Sequence, residues 1–231
     1  MANYLIIGGS SGIGQTLAMQ LADAGHHVFA TYCKNKIASE NNFIQYDYLN
    51  VLDDTPSLPL LPDSLTSLIY CPGSINLKPF GRIKPNDFVA DFNLQVTGAI
   101  KIIQLVLSKL LITENASILL FSTVAVQSGL PFHTQVAASK GAIEGLTKSL
   151  AAEYAPKIRV NCIAPSLTDT PLASSLLNSE QKREANALRH PMKKIGTPKN
   201  IADMAQFLIS EKAEWITGQV IHVDGGMSSI K

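Results

Sequence analysis

The chain has almost no excess of either charge. Lys and Arg number 19 against 18 Asp and Glu, a formal net charge of +1 over 231 residues. No basic run exceeds two residues, so the footprint expected of a nucleic-acid partner or an anionic membrane surface is missing. Cysteine is scarce. Cys33, Cys71 and Cys162 are scattered and odd in number, which excludes a disulfide framework and a metal site built on cysteines, and suits a reducing cytoplasm. No uninterrupted apolar run reaches the roughly 18 residues of a spanning helix. The N-terminus lacks a charged leader, and its first apolar run is short and ends in glycines, unlike a signal peptide. What is abundant is apolar residues, at 46%. That is enough for a sizeable core, and with no repeat, linker or low-complexity tract the chain reads as one domain spanning residues 1–231.

Apolar runs alternate with helical patterns along the chain. Tyr4 to Ile7 reads as a strand buried on both faces. Gly8-Gly9-Ser10-Ser11-Gly12-Ile13-Gly14 follows, then a helical stripe through Leu17, Ala18, Leu21 and Ala22, then a second strand from Val28 to Thr31. Strand, glycine turn, helix and strand make a βαβ unit. Its glycines stand where a phosphate must approach backbone N–H groups at a helix start. Phe43 to Tyr46 is a third strand, ending at Asp47 and Tyr48. Pro56, Pro59 and Pro62 rule out a regular helix in the crossover that follows. Leu65 to Tyr70 is the fourth strand, leading into Cys71-Pro72-Gly73.

A long helical pattern covers Lys84 to Leu111, with Asn93 marking an expected bend. Ile118 to Phe121, Ile158 to Ile163 and Val220 to Val223 complete the strands. Helices are expected over Val136 to Tyr154 and Asn200 to Leu208. Pro165 to Pro198 has no clean period; residues 166–198 read either as a segment covering the substrate or as ordinary surface helices. This alternation implies a doubly wound, Rossmann-type parallel sheet of about seven strands with helices on both faces.

Two positions bear on the ligand. Tyr32, Cys33 and Lys34 stand where a dinucleotide site often carries an acidic residue for the ribose. A carboxylate there would repel a 2′-phosphate and Lys34 would attract one, which favours NADP over NAD; the alternative is that Lys34 is a solvated loop residue. Lys140 is a lone cation among Ala137, Ala138, Gly141 and Ala142. Small neighbours imply that something packs close, so the Lys is expected to face a ligand.

With these residues in view, the chain resembles the short-chain dehydrogenase/reductase family over Tyr4 to Met227, with the flavour of the acyl-carrier-protein ketoreductases. Gly8, Gly12 and Gly14 fit its glycine turn, although Ile7 replaces the leading Thr. Asp47 fits its adenine-contacting Asp, and Asn93 fits the Asn of its active-site tetrad. Asn161, Pro165 and Thr170 fit N-x-x-x-P-G-x-x-x-T, with Ser166 in place of the Gly and Thr168 inside the motif. Val223-Asp224-Gly225-Gly226 fits the C-terminal signature. The resemblance implies cofactor contacts from these residues, from Cys71, Pro72 and Gly73, and from Lys140. It also implies a small-molecule substrate and a homodimer or homotetramer.

The departures concern chemistry. The family's Y-x-x-x-K reads Val136-Ala137-Ala138-Ser139-Lys140. Its catalytic Ser falls on Thr123, and its N-N-A-G on Tyr70-Cys71-Pro72-Gly73. A hydroxyl and the Lys remain, but Val136 has no proton to give, and a positioned acid is typically worth about 10²- to 10⁴-fold in rate. His133, seven residues before Lys140, is a candidate substitute donor, since an imidazole can give a proton near neutral pH; the alternative is that it is a solvated residue of the loop before the helix. Three readings follow: an NADP-dependent oxidoreductase reducing a small carbonyl or enone with an unusual donor; a cofactor-binding protein without turnover; or an isomerase or lyase on the same fold.

Overall fold

The computed structural model describes residues 1–34, 36–39 and 41–230. Strands β1 (Asn3–Ile7), β2 (His27–Tyr32), β3 (Ile44–Tyr48), β4 (Ser67–Tyr70), β5 (Ala116–Phe121), β6 (Ile158–Pro165) and β7 (Val220–Val223) form one sheet in the order β3-β2-β1-β4-β5-β6-β7. Every pairing is parallel, as the sequence implied. β4 and β5 are buried at every position, which is why they read as continuous apolar runs.

Helices cover both faces. On one side, Leu17, Ala18 and Leu21 of α1 (Gly12–Asp23) pack with Ile201, Ala205 and Leu208 of α7 (Pro198–Ile209). A capping box starts α7: Thr197 Oγ1 accepts from Asn200 N–H and Asn200 Oδ1 accepts from Thr197 N–H. On the other side lie α3 (Gly98–Leu111) and α5 (Thr134–Tyr154), burying Ile102, Val106, Leu110 and Ile143 against β1, β4 and β5.

α2 (Pro85–Phe92) runs into α3 without a break through a π-helical turn, Asn93–Thr97. The sequence anticipated a bend at Asn93. An extra residue is accommodated there instead, and the Tyr70 hydroxyl donates to the Leu94 carbonyl of that turn at 2.6 Å. The 27-residue run Pro85–Leu111 is long and apolar enough to cross a membrane by composition, yet Ile102, Val106 and Leu110 belong to the core.

The crossover from β3 to β4 has no helix. Leu58 and Leu61 pack on the core from this strap, and two lysines of α3 hold it: Lys101 Nζ donates to the Asp53 carbonyl and Lys109 Nζ to the Pro62 carbonyl, each at 2.7 Å. Between Pro165 and Pro198 the chain forms a 3₁₀ turn, Pro171–Leu176, and α6 (Glu180–Leu188).

Candidate active site

A parallel sheet gathers its loops at the carboxyl ends of the strands, and an open α/β sheet binds ligands where the strand order reverses. Here that point lies between β1 and β4. A cavity of about 320 Å³ opens there, walled by the loops after β1, β4, β5 and β6.

The loop after β1 is shaped for close approach. Gly8 and Gly12 have φ of +75° and +53°, a region that side chains disfavour. A Cβ on Gly14 would lie 2.4 Å from the Gly8 carbonyl oxygen, and one on Gly12 would lie 3.3 Å from Thr170. The turn is anchored below by Thr31, whose hydroxyl accepts from Gly8 N–H and whose carbonyl accepts from Gly9 N–H. Ser11 makes no side-chain cap on α1, so the first N–H groups of that helix stay available to an anion. These features fit a dinucleotide pyrophosphate. Gly14→Ala is expected to cost about 1–3 kcal/mol by overpacking and to weaken dinucleotide binding at least tenfold; thermal melts and calorimetric titration check both.

α5 delivers Lys140 and Val136 to the cavity from one face, four residues apart. Lys140 is 8% exposed and donates no hydrogen bond among the described residues. Burial pulls its ammonium down from the usual 10.5 to about 8, opposed by the Cys162, Asp91 and Cys71 side chains. Cys71, also in the wall, is pushed up to about 12 by burial. Thr123 caps the short helix α4 (Val124–Ser128), its Oγ1 accepting from Ala125 N–H at 3.3 Å. Beside it, the Ser122 hydroxyl donates to Glu144 at 2.5 Å.

Most of the residues singled out from sequence meet at this cavity. Gly8, Ser11, Gly12, Ile13 and Gly14 form one wall; Cys71 and Gly73 another; Thr123, His133 and Val136 a third; Pro165, Thr168 and Thr170 a fourth. Tyr32, Cys33 and Lys34 lie beyond it at the end of β2. Tyr32 pairs with Tyr48, and Thr31 with Asp47, across β2 and β3; Lys34 is exposed there. Ser10 and Pro72 belong to the same loops but not to the cavity wall.

Asn93 is displaced. Its side chain is exposed and outside the cavity. Gln95 is fully buried and faces the cavity instead, because the π-helical turn changes which residue points inward. A Cβ on Gly73 would sit 3.5 Å from Gln95 Oε1 and 3.7 Å from Lys140 Nζ, so amide and ammonium converge on that spot. Gln95 Oε1 has no hydrogen-bond partner among the described residues. Its Nε2 donates to Asp91 at 2.7 Å. Asp91, 4% exposed, also accepts from the Ser139 hydroxyl at 2.6 Å and from Ser74. This carboxylate ties α2, the loop after β4 and the residue preceding Lys140 together. Asp91 and Gln95 had a sequence signal: each is a polar residue inside an apolar helical stripe.

Many known proteins are similar to this chain in sequence or in fold. The family described as Enoyl-(Acyl carrier protein) reductase matches residues 63–228. A 3-oxoacyl-[acyl-carrier-protein] reductase FabG of Rickettsia felis is 31% identical over 96% of this chain and 95% of its own length. One from Thermotoga maritima is 37% identical over 63% of this chain and 59% of its own. Among solved structures, the aldohexose dehydrogenase of Thermoplasma acidophilum superposes with a TM-score of 0.88 at 25% identity, covering 98% of this chain and 94% of that one. ElxO with NADP bound superposes at 0.87 and 26% identity, covering 99% and 100%.

Proposed function

The chain belongs to the short-chain dehydrogenase/reductase family, and from that premise we propose that it is an NADP-dependent oxidoreductase acting on a small carbonyl or enone, with a proton donor other than a phenol. The observation that carries this reading is the meeting, in one cavity, of the glycine turn at the start of α1 with Lys140, Thr123 and Thr170. When bound, the reduced cofactor supplies a hydride. The turn and the free N–H groups of α1 would hold its pyrophosphate, and Lys34, at the end of β2, would favour a 2′-phosphate.

Lys140 places a cation in a largely apolar cavity, where it would hold the nicotinamide ribose and favour charge developing on a substrate oxygen. Thr123 has a hydroxyl to orient a carbonyl. Leu172 and Leu176, from the segment 166–198, together with Leu130 and Met227 would keep water out and suit an apolar substrate body. Exposed Leu105 and Ile112 at the outer side and end of α3 suit a homodimer, and three free cysteines suit a reducing cytoplasm.

The experiment is NADPH consumption with a panel of ketones and enones. Oxidation with at least one acceptor is expected. Saturable NADPH binding with no oxidation on any acceptor would favour a binding protein instead, a reading that the aliphatic Val136 supports.

A further inference from the structure

We propose that Ser166 and His190 form the proton relay of this site, with Ser166 as the catalytic hydroxyl and His190 as the group that resupplies it. The proposal rests on the oxidoreductase reading and fills the place a phenol would take. His190 is 3% exposed and lies just beyond the carboxyl end of α6, with Ser166 just beyond that of β6. Both line the cavity that holds Lys140. His190 Nδ1 is 2.9 Å from the Asn186 carbonyl oxygen, which can only accept, so that nitrogen carries a proton. His190 Nε2 is 2.8 Å from Ser166 Oγ. The ring is thus held at both nitrogens. Gly225, at a φ of +62°, packs beside it: a Cβ there would be in ordinary contact, 3.6 Å from His190 Cβ and 3.7 Å from its Cδ2.

A hydroxyl alone is too weak an acid to protonate an alkoxide usefully, unless its proton is replaced as it leaves. Ser166 has a titratable group in contact to do so. Its Oγ also lies 3.1 Å from Met227 Sδ, a weak acceptor in the cavity wall, so the O–H can turn from the imidazole toward the cavity. Thr123, by contrast, accepts a backbone N–H. His133 lines the cavity and is half-buried, with one ring nitrogen 2.7 Å from the Pro131 carbonyl two residues away; it hydrogen-bonds to no hydroxyl among the described residues.

Hydride arrives at the carbonyl carbon and the C=O π pair moves to oxygen. That oxygen takes the Ser166 hydroxyl proton. Ser166 Oγ takes the Nε2 proton of the imidazolium, and the neutral imidazole takes up one proton from the solvent, the proton that the reduction consumes.

The test measures NADPH affinity by calorimetry, and turnover with diacetyl and cyclohexenone, for wild type, Ser166→Ala, Ser166→Thr, His190→Ala and His190→Gln. Expected are losses in kcat of about 10²- to 10⁴-fold in Ser166→Ala and His190→Gln, with NADPH affinity within twofold of wild type. Ser166→Thr, which keeps the hydroxyl, should retain turnover. Added imidazole should restore turnover in His190→Ala. If wild type binds NADPH but reduces neither acceptor, the oxidoreductase reading fails and the relay with it. If wild type turns over and Ser166→Ala and His190→Gln match it, the relay alone is overturned. A loss in His190→Ala that imidazole does not restore also overturns it.

Discussion

Val136→Tyr is expected to raise ketone reduction at least tenfold while leaving NADPH affinity within twofold. Val136 lies on α5 four residues before Lys140, and both side chains face the same cavity. A tyrosine there would present a phenol on the same helical face as the ammonium. A cation alongside favours the phenolate and so makes the phenol a better acid. A positioned acid contributes about 10²- to 10⁴-fold; the expected gain is set below that range because the proposed Ser166–His190 relay would already supply a proton. Val136 is 8% exposed, so the ring must enter the cavity rather than the core. Steady-state rates with a ketone check the prediction. A folded variant that binds NADPH and is no faster than wild type would show that the cavity differs by more than its acid.

Lys140→Met is expected to separate function from stability. Turnover should fall about 10²- to 10³-fold, as when a preorganised charge is removed from a developing oxyanion. Stability should rise, because burial holds the ammonium of the folded protein near 8 against 10.5 in the free side chain. Below about 8 the folded chain carries a desolvated cation. Between about 8 and 10.5 the unfolded chain keeps a proton that the folded one has released. Stability of the wild type therefore gains from this residue as pH rises through that window. Lys140→Met should lose that contribution and melt higher by about 4 °C or more at pH 7. Thermal melts across the pH range, set beside NADPH oxidation rates, test both halves. A variant that melts lower at pH 7 would mean that the ammonium has a structural partner in the folded protein.

Much of this was legible in the amino-acid order. The strand runs, the glycine turn, the proline-rich crossover and the last helix stand where their apolar periods placed them, because strands buried on both faces leave an unbroken apolar signature. Asn93 and Gln95 mark the limit. A helical period of 3.6 residues assumes a uniform turn, and the π-helical turn over Asn93–Thr97 inserts one residue into it. The residue facing the cavity then shifts; Gln95 shows in the sequence as a polar residue inside an apolar stripe, but periodicity does not tell which of Asn93 and Gln95 turns inward. The cue was tertiary: Gly98, where a Cβ would lie 2.4 Å from the Tyr70 hydroxyl. The Ser166–His190 pair was hidden for a related reason. Twenty-four residues separate them, and only the fold of the segment after β6 brings imidazole to hydroxyl. Asp91 likewise joins three elements through side chains whose spacing in sequence is irregular.

The central claim is that a dinucleotide site persists in a chain that carries Val136 in place of the family's phenol. Calorimetric titration of the wild-type protein with NADPH and with NADH tests it most directly. The account predicts saturable binding of one dinucleotide per chain, tighter for NADPH, and weakened at least tenfold by Gly14→Ala. Absence of saturable binding by either dinucleotide to the folded protein would contradict it.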